Sequence, residues 1–261
     1  MLTITILQDG RNNDIAMNTW RVFKKELGAY FNSPQAYIFL LVFLVVGPVL
    51  LFNFIAEGFF KAGQASLTAY FSVLPWIFLF LCPAISMRIW AEEKRSGTEE
   101  LLMTMPVRDW EVVLGKYLST LFLLVVALAL TTPLAYVIHR FVDPNTPIDW
   151  APIWCGFLGA FLMGAGILAV GCWASSITVN QIVAFIIAVV VTFVLILVGT
   201  PKAADFFPSQ LADVVTQFSF MNHFSSMYRG VIDARDIIFF VGVVVFFLFL
   251  NVRAVESRKW K

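Results

Sequence analysis

The sequence predicts an all-α integral membrane protein with six transmembrane helices. An N-terminal interfacial elbow helix precedes them, a cytoplasmic helix sits between spans two and three, and an outer-face helical segment lies between spans five and six. Three observations carry this prediction. The 261 residues are 60% hydrophobic and 13% charged, with mean hydropathy +0.84, whereas soluble domains sit near about 45–50% and about 25%. Six stretches reach or approach the roughly 17–25 apolar residues that a helix needs to cross a bilayer: 36–56, 70–87, 117–138, 153–174, 182–199 and 237–252, none holding Asp, Glu, Lys or Arg. Finally, thirteen of the eighteen Lys and Arg residues fall on one side of such a six-span arrangement. Such scarce charge cannot cover a soluble globule, which excludes a soluble enzyme, a disordered chain and a nucleic-acid binder.

Residues 1–16 form an N-terminal extension. They do not read as a signal peptide, because Asp9, Arg11 and Asp14 interrupt a short apolar run. Two readings stand for them, a native extension or a displaced start ahead of Met17. Residues 17–35 form the elbow helix. Trp20, Phe23, Leu27, Tyr30 and Phe31 recur at helical spacing, with Arg21, Lys24 and Lys25 elsewhere around the helix. Asn18 or Thr19 is expected to cap it, and Asn32-Ser33-Pro34 to end it. A basic helix with an aromatic face just before a span suits the inner interface. It serves either as an anchor alone or as an anchor that also meets a cytoplasmic partner.

Residues 36–261 make up the six-span domain. Its spans must be helical, since lipid leaves no partner for an unpaired backbone group. Pro48, Pro75, Pro83 and Pro133 lie within or at the ends of spans and should bend them. The sixth stretch is the shortest, so its helix is expected to extend beyond 237–252 or to meet a thin membrane. Lys and Arg bias places both termini and the loop after span two in the cytoplasm.

That loop, Arg88 to Lys116, concentrates charge: Arg88, Glu92, Glu93, Lys94, Arg95, Glu99, Glu100, Arg108, Asp109 and Glu111. Gly97 supplies a turn, and Ser96 or Thr98 caps a short helix through Leu101, Leu102 and Met105 that Pro106 stops. Asp109 is the expected cap of the next helix. A plain connector would need only a few residues. The loop is either a solvated carrier of inside charge or a docking helix for a cytoplasmic protein.

In the fourth span, Gly156, Ala160 and Gly164 are spaced by four, which lets helices approach closely. Packing within the chain, a subunit interface and a translocation wall all fit that stripe. On the outer side, Phe206, Phe207, Leu211, Val214, Val215, Phe218 and Phe220 suggest an amphipathic helix, continued by Met221, Phe224, Met227 and Tyr228. It is expected to dip into the outer interface or to cap the spans.

No residues of this chain point to chemistry of its own. Gly115-Lys116 lacks the upstream glycine of a phosphate-binding loop, and no HExxH occurs. His139 and His223 lie far apart on outer segments and read as solvated. Cys82, Cys155 and Cys172 have neither disulfide-framework nor zinc spacing. No catalytic, cofactor-binding or metal residues are expected. The spans carry no acid or base for proton coupling, so an ion-coupled carrier is disfavoured and energy must come from elsewhere.

These residues resemble a known family. Phe23-Lys24-Lys25-Glu26-Leu27 with Tyr30-Phe31-Asn32-Ser33-Pro34 looks like the opening of ABC-2 type transporter permeases. The run from Pro75 to Ala84 is more specific, with Met87-Arg88, Ala91-Glu92-Glu93-Lys94, Ser96-Gly97-Thr98-Glu99-Glu100-Leu101-Leu102 and Pro106-Val107. Together with Val113-Leu114-Gly115-Lys116-Tyr117 and Gly230-Val231-Ile232-Asp233, it resembles the gliding-motility-type (GldF-like) branch.

The resemblance implies a non-catalytic permease subunit of an ABC exporter in the bacterial inner membrane. It implies partnership with two copies of a cytoplasmic ABC ATPase, which would hold ATP and Mg, and with a second permease, identical or homologous. Membrane lipids surround it, and a subunit with a large periplasmic domain is a further partner in gliding-type complexes. Glu92, Glu93, Gly97, Thr98, Glu99, Leu101, Leu102 and Pro106 would belong to the coupling helix, and Trp20, Phe23, Lys24, Leu27 and Tyr30 to the elbow helix. The alternative is a structural or force-transmitting component of a cell-envelope complex.

Overall fold

The computed structural model describes residues 2–50, 67–98, 107–141, 150–198 and 217–257, with side chains omitted over 2–16 and 138–141. Among the described residues every regular element is a helix. The first, α1 (Leu2–Phe31), runs unbroken through the boundary expected at residue 17. Asn18 and Thr19 therefore cap nothing, and the Asn18 amide instead donates to Glu111 Oε2 at 3.3 Å. The chain turns at Asn32-Ser33, where Ser33 Oγ donates to the Tyr30 carbonyl at 2.9 Å. Pro34 then opens α2 (Pro34–Leu50), where its missing N–H costs nothing. The bend between 17–31 and α2 is 73°.

Helix α3 (Thr68–Ser86) accommodates Pro75 and Pro83, and α4 (Arg88–Ser96) continues it after a break at Met87. The break has a cause in another helix. Ser175 Oγ donates to the Met87 carbonyl at 2.7 Å and accepts the N–H groups of Trp90 and Ala91 at 3.0 and 3.1 Å. A side chain thus occupies the place where Ala91 would have bonded Met87, as at other helix breaks. Gly97, at φ 73°, closes α4 in the left-handed conformation that glycine adopts without penalty.

Helix α5 (Asp109–Thr131) begins one residue before the expected cap takes effect. Arg108 is the N-cap, Asp109 is already helical, and Glu111 accepts the Arg108 N–H at 3.3 Å. The third hydrophobic stretch divides at Thr132, where Pro133 starts α6 (Pro133–Phe141). Next, α7 (Trp150–Ile177) is the hub, packing against α3, α4, α5, the later helices 220–228 and 234–256, and its successor α8 (Gln181–Leu197). Asn180 caps α8 by accepting the Ile182 N–H at 2.9 Å.

The outer expectation over 206–216 lies outside the described residues. Its continuation is α9 (Phe220–Tyr228), capped by Ser219, with Phe220, Phe224 and Met227 fully buried against the bundle. Last, α10 (Ala234–Glu256) is longer at both ends than the stretch 237–252.

Among the described residues four helical stretches are long and apolar enough to cross a membrane: 68–96, 109–137, 150–177 and 234–256; the bent pair 17–50 makes a fifth if taken as one span. At 17 residues α8 is about 25 Å long, just under the roughly 30 Å hydrocarbon core.

Candidate functional site

A polar junction among the described residues lies where α1, α4, the start of α5 and the end of α7 meet. At the centre is Lys116, which is 1% exposed. Its ammonium donates to Glu26 Oε1 on α1 at 3.0 Å and to the Ile89 carbonyl on α4 at 3.1 Å, and it pairs with Glu93 Oε1 on α4 at 2.8 Å. All three of its donors are thereby engaged. The Trp90 ring lies 5.0 Å away and adds a cation–π contact.

Local sequence explains how a lysine arrives there. Val112, Val113, Lys116 and Thr120 follow one another at helical spacing on the buried side of α5. Glu26 likewise lies one turn from Val22 and one turn from buried Tyr30. Gly115 allows the two helices to touch: a Cβ there would lie 2.8 Å from Val22 Cβ and 2.9 Å from the Thr19 carbonyl. By sequence Lys116 counts as inside charge at the end of the loop that precedes the third span. The helix instead carries it into the packed interior, because two carboxylates from distant segments meet it.

A second set of contacts fixes α4 from the other side. Arg88 pairs with Glu92 at 3.1 Å, donates to Ser33 Oγ at 3.2 Å and to Gln35, and stacks over Tyr30 at 5.2 Å. Tyr30 donates to the Ile85 carbonyl at 3.2 Å. Lys94 reaches the Ser176 carbonyl at the end of α7. Ser175 lies one turn beyond Gly171, where a Cβ would overlap the Ser86 hydroxyl. That close approach of α7 to α3 delivers Ser175 to the break. A cavity of about 240 Å³ opens beside the junction, lined by Glu26, Arg88, Glu93, Ser96 and Thr98 among others.

The expected coupling residues divide. Glu92 is half-exposed, Glu93 is largely enclosed, Gly97 makes the left-handed turn, and exposed Thr98 bonds Ser96 Oγ at 2.9 Å. Glu99, Leu101, Leu102 and Pro106 lie outside the described residues. On α1, Tyr30 is buried, Phe23 and Leu27 are half-buried, and Lys24 and Trp20 are exposed. Lys24 sits over the Trp20 ring, which stacks on Phe23. Gly156 faces Phe71, Gly164 faces Leu124, and Ala160 is buried within the chain.

The opposite end of the bundle, where α9 meets the start of α10, holds a polar cluster that the sequence alone does not reveal. His223 is not solvated: its Nδ1 meets Asp236 Oδ1 at 2.7 Å and its Nε2 meets the Gln217 carbonyl at 2.8 Å. Ser226 donates to the other Asp236 oxygen, and the imidazole stacks on Phe239 at 4.1 Å. Asp236 is 5% exposed, so α10 begins with a carboxylate matched by α9. Only the spacing of Asp236 in the first turn of an apolar helix could have hinted at this.

Comparison with known proteins agrees with the architecture. A family model described as ABC-2 family transporter protein matches residues 49–253. No curated protein matches the chain. With most of its length matched and four to five membrane-capable helices among its described residues, the chain belongs to the ABC-2 transporter family, as a multi-pass membrane permease subunit of an ABC transporter.

Proposed function

We propose that this chain is the permease subunit of an ATP-driven exporter in a bacterial inner membrane. In this reading both termini are cytoplasmic, α2 and α8 complete a six-span bundle, and a second permease, identical or homologous, completes the pore. Two copies of a cytoplasmic ATPase hold ATP and Mg. The segment 92–106 docks on the ATPase as a coupling helix, and 17–31 forms the elbow helix beside it. The gliding-motility-type branch is the preferred placement within the family.

The supporting observation is the junction at Lys116, where the expected elbow and the start of the expected coupling segment share one buried cation. ATP-driven closure of the ATPases would press on this end of the bundle and alternate the access of the spans. The test is purification of the tagged chain from its native membrane in mild detergent. An ATP-hydrolysing chain should accompany the native protein and be lost on Leu101→Asp. An equal yield of that chain with both forms would refute docking through 92–106. Assembly without any ATP-hydrolysing chain would instead favour the force-transmitting alternative.

A further inference from the structure

We infer that Lys116 is a positioning residue that welds the elbow helix, α4 and α5 into one mechanical body. The inference rests on the permease reading only for the source of the push. Three features of the junction carry it. First, Lys116 has no spare donor and no exposure, so it cannot exchange its partners for water without local opening. Second, its partners belong to two separate segments, Glu26 on α1 and the pair Ile89 and Glu93 on α4, so that with its own α5 it joins three helices. Third, the helices that carry them are locked close by. Gly115 holds α1 against α5, and Ser175 and Ser176 hold α4 against α7.

Charge counting separates this role from simple stabilisation. Two carboxylates share one ammonium, and Glu93 Oε2 is buried without a donor among the described residues. Removing either carboxylate leaves a neutral pair. Removing the lysine leaves two largely enclosed carboxylates facing each other, the costliest change. Neutralising all three groups removes that cost, as when a buried ion pair is replaced outright, but it also removes the tie. Stability and rigidity therefore respond differently to the same series of substitutions.

The experiment places nitroxide labels at exposed Arg21 and Arg95, in the chain reconstituted in nanodiscs, and measures their distance distribution alongside thermal unfolding. The native chain should give one narrow distance. Lys116→Met should lower the unfolding temperature by roughly 10 °C and broaden the distribution. The triple variant Glu26→Gln/Glu93→Gln/Lys116→Met should recover most of that temperature yet remain broad. In the complex with its ATPase, trapping with ATP and vanadate should leave the native distance unchanged. A triple variant as narrow as the native chain would overturn the inference, as would a native distance that shifts on trapping. If no ATPase associates, the permease reading fails, while the distributions of the chain alone still decide the weld.

Discussion

Ser175 and Trp90, 85 residues apart, are joined by one hydrogen bond of 3.0 Å from the Trp90 backbone N–H to the Ser175 hydroxyl. A helix that restarts after Met87 needs its first N–H groups satisfied. Here the cap comes from another helix, so the position of α4 is set by the end of α7. Ser175→Ala should strand the N–H groups of Trp90 and Ala91 and cost about 1–3 kcal/mol. Faster hydrogen exchange at those two amides, with α3 unaffected, is the expected sign.

The approach that delivers Ser175 depends on Gly171. A methyl group there overlaps the Ser86 side chain, and overpacking of this kind costs about 1–3 kcal/mol. Gly171→Ala should therefore lower the unfolding temperature, and Gly171→Ala/Ser86→Gly should recover much of the loss. A double variant no better than the single would show that the two helices are not fixed by this contact.

Glu92 and Glu93 are adjacent in sequence but not equivalent in structure. Glu92 makes a half-exposed pair with Arg88, worth about 0–1 kcal/mol. Glu93 is bound to a buried ammonium. Glu92→Ala should leave thermal stability nearly unchanged, whereas Glu93→Ala should lower it measurably. Equal effects would contradict the burial described here.

At the end of the bundle away from Lys116, Asp236 joins α9 to α10 through His223 and Ser226. Asp236→Ala leaves both donors facing an empty place, at a cost of about 1–3 kcal/mol. Protease cleavage near α9 should quicken, while the Lys116 end keeps its native protection.

Much of the fold could be read from the sequence because lipid imposes local rules. Long uncharged runs became α3, α5, α7 and α10, Asn32-Ser33-Pro34 ended a helix, and Gly97 made a turn. What could not be read depended on partners distant in sequence. Lys116 looked like flanking charge because its two carboxylates lie in other segments. The break at Met87 has no local signal, since its cause is Ser175. His223 looked solvated because Asp236 meets it only after α9 folds against α10. Asn18 looked like a cap because nothing in the sequence showed that the helix starts earlier.

The account stands on the claim that the end of the bundle bearing α4 meets an ATPase. A photocrosslinker placed at exposed Thr98, just beyond Gly97, tests this in intact cells, with a matched probe at exposed Val231 on the opposite end. The account predicts a crosslinked ATP-binding chain from Thr98 and none from Val231. An ATP-binding chain captured from Val231, or none from Thr98, would contradict it.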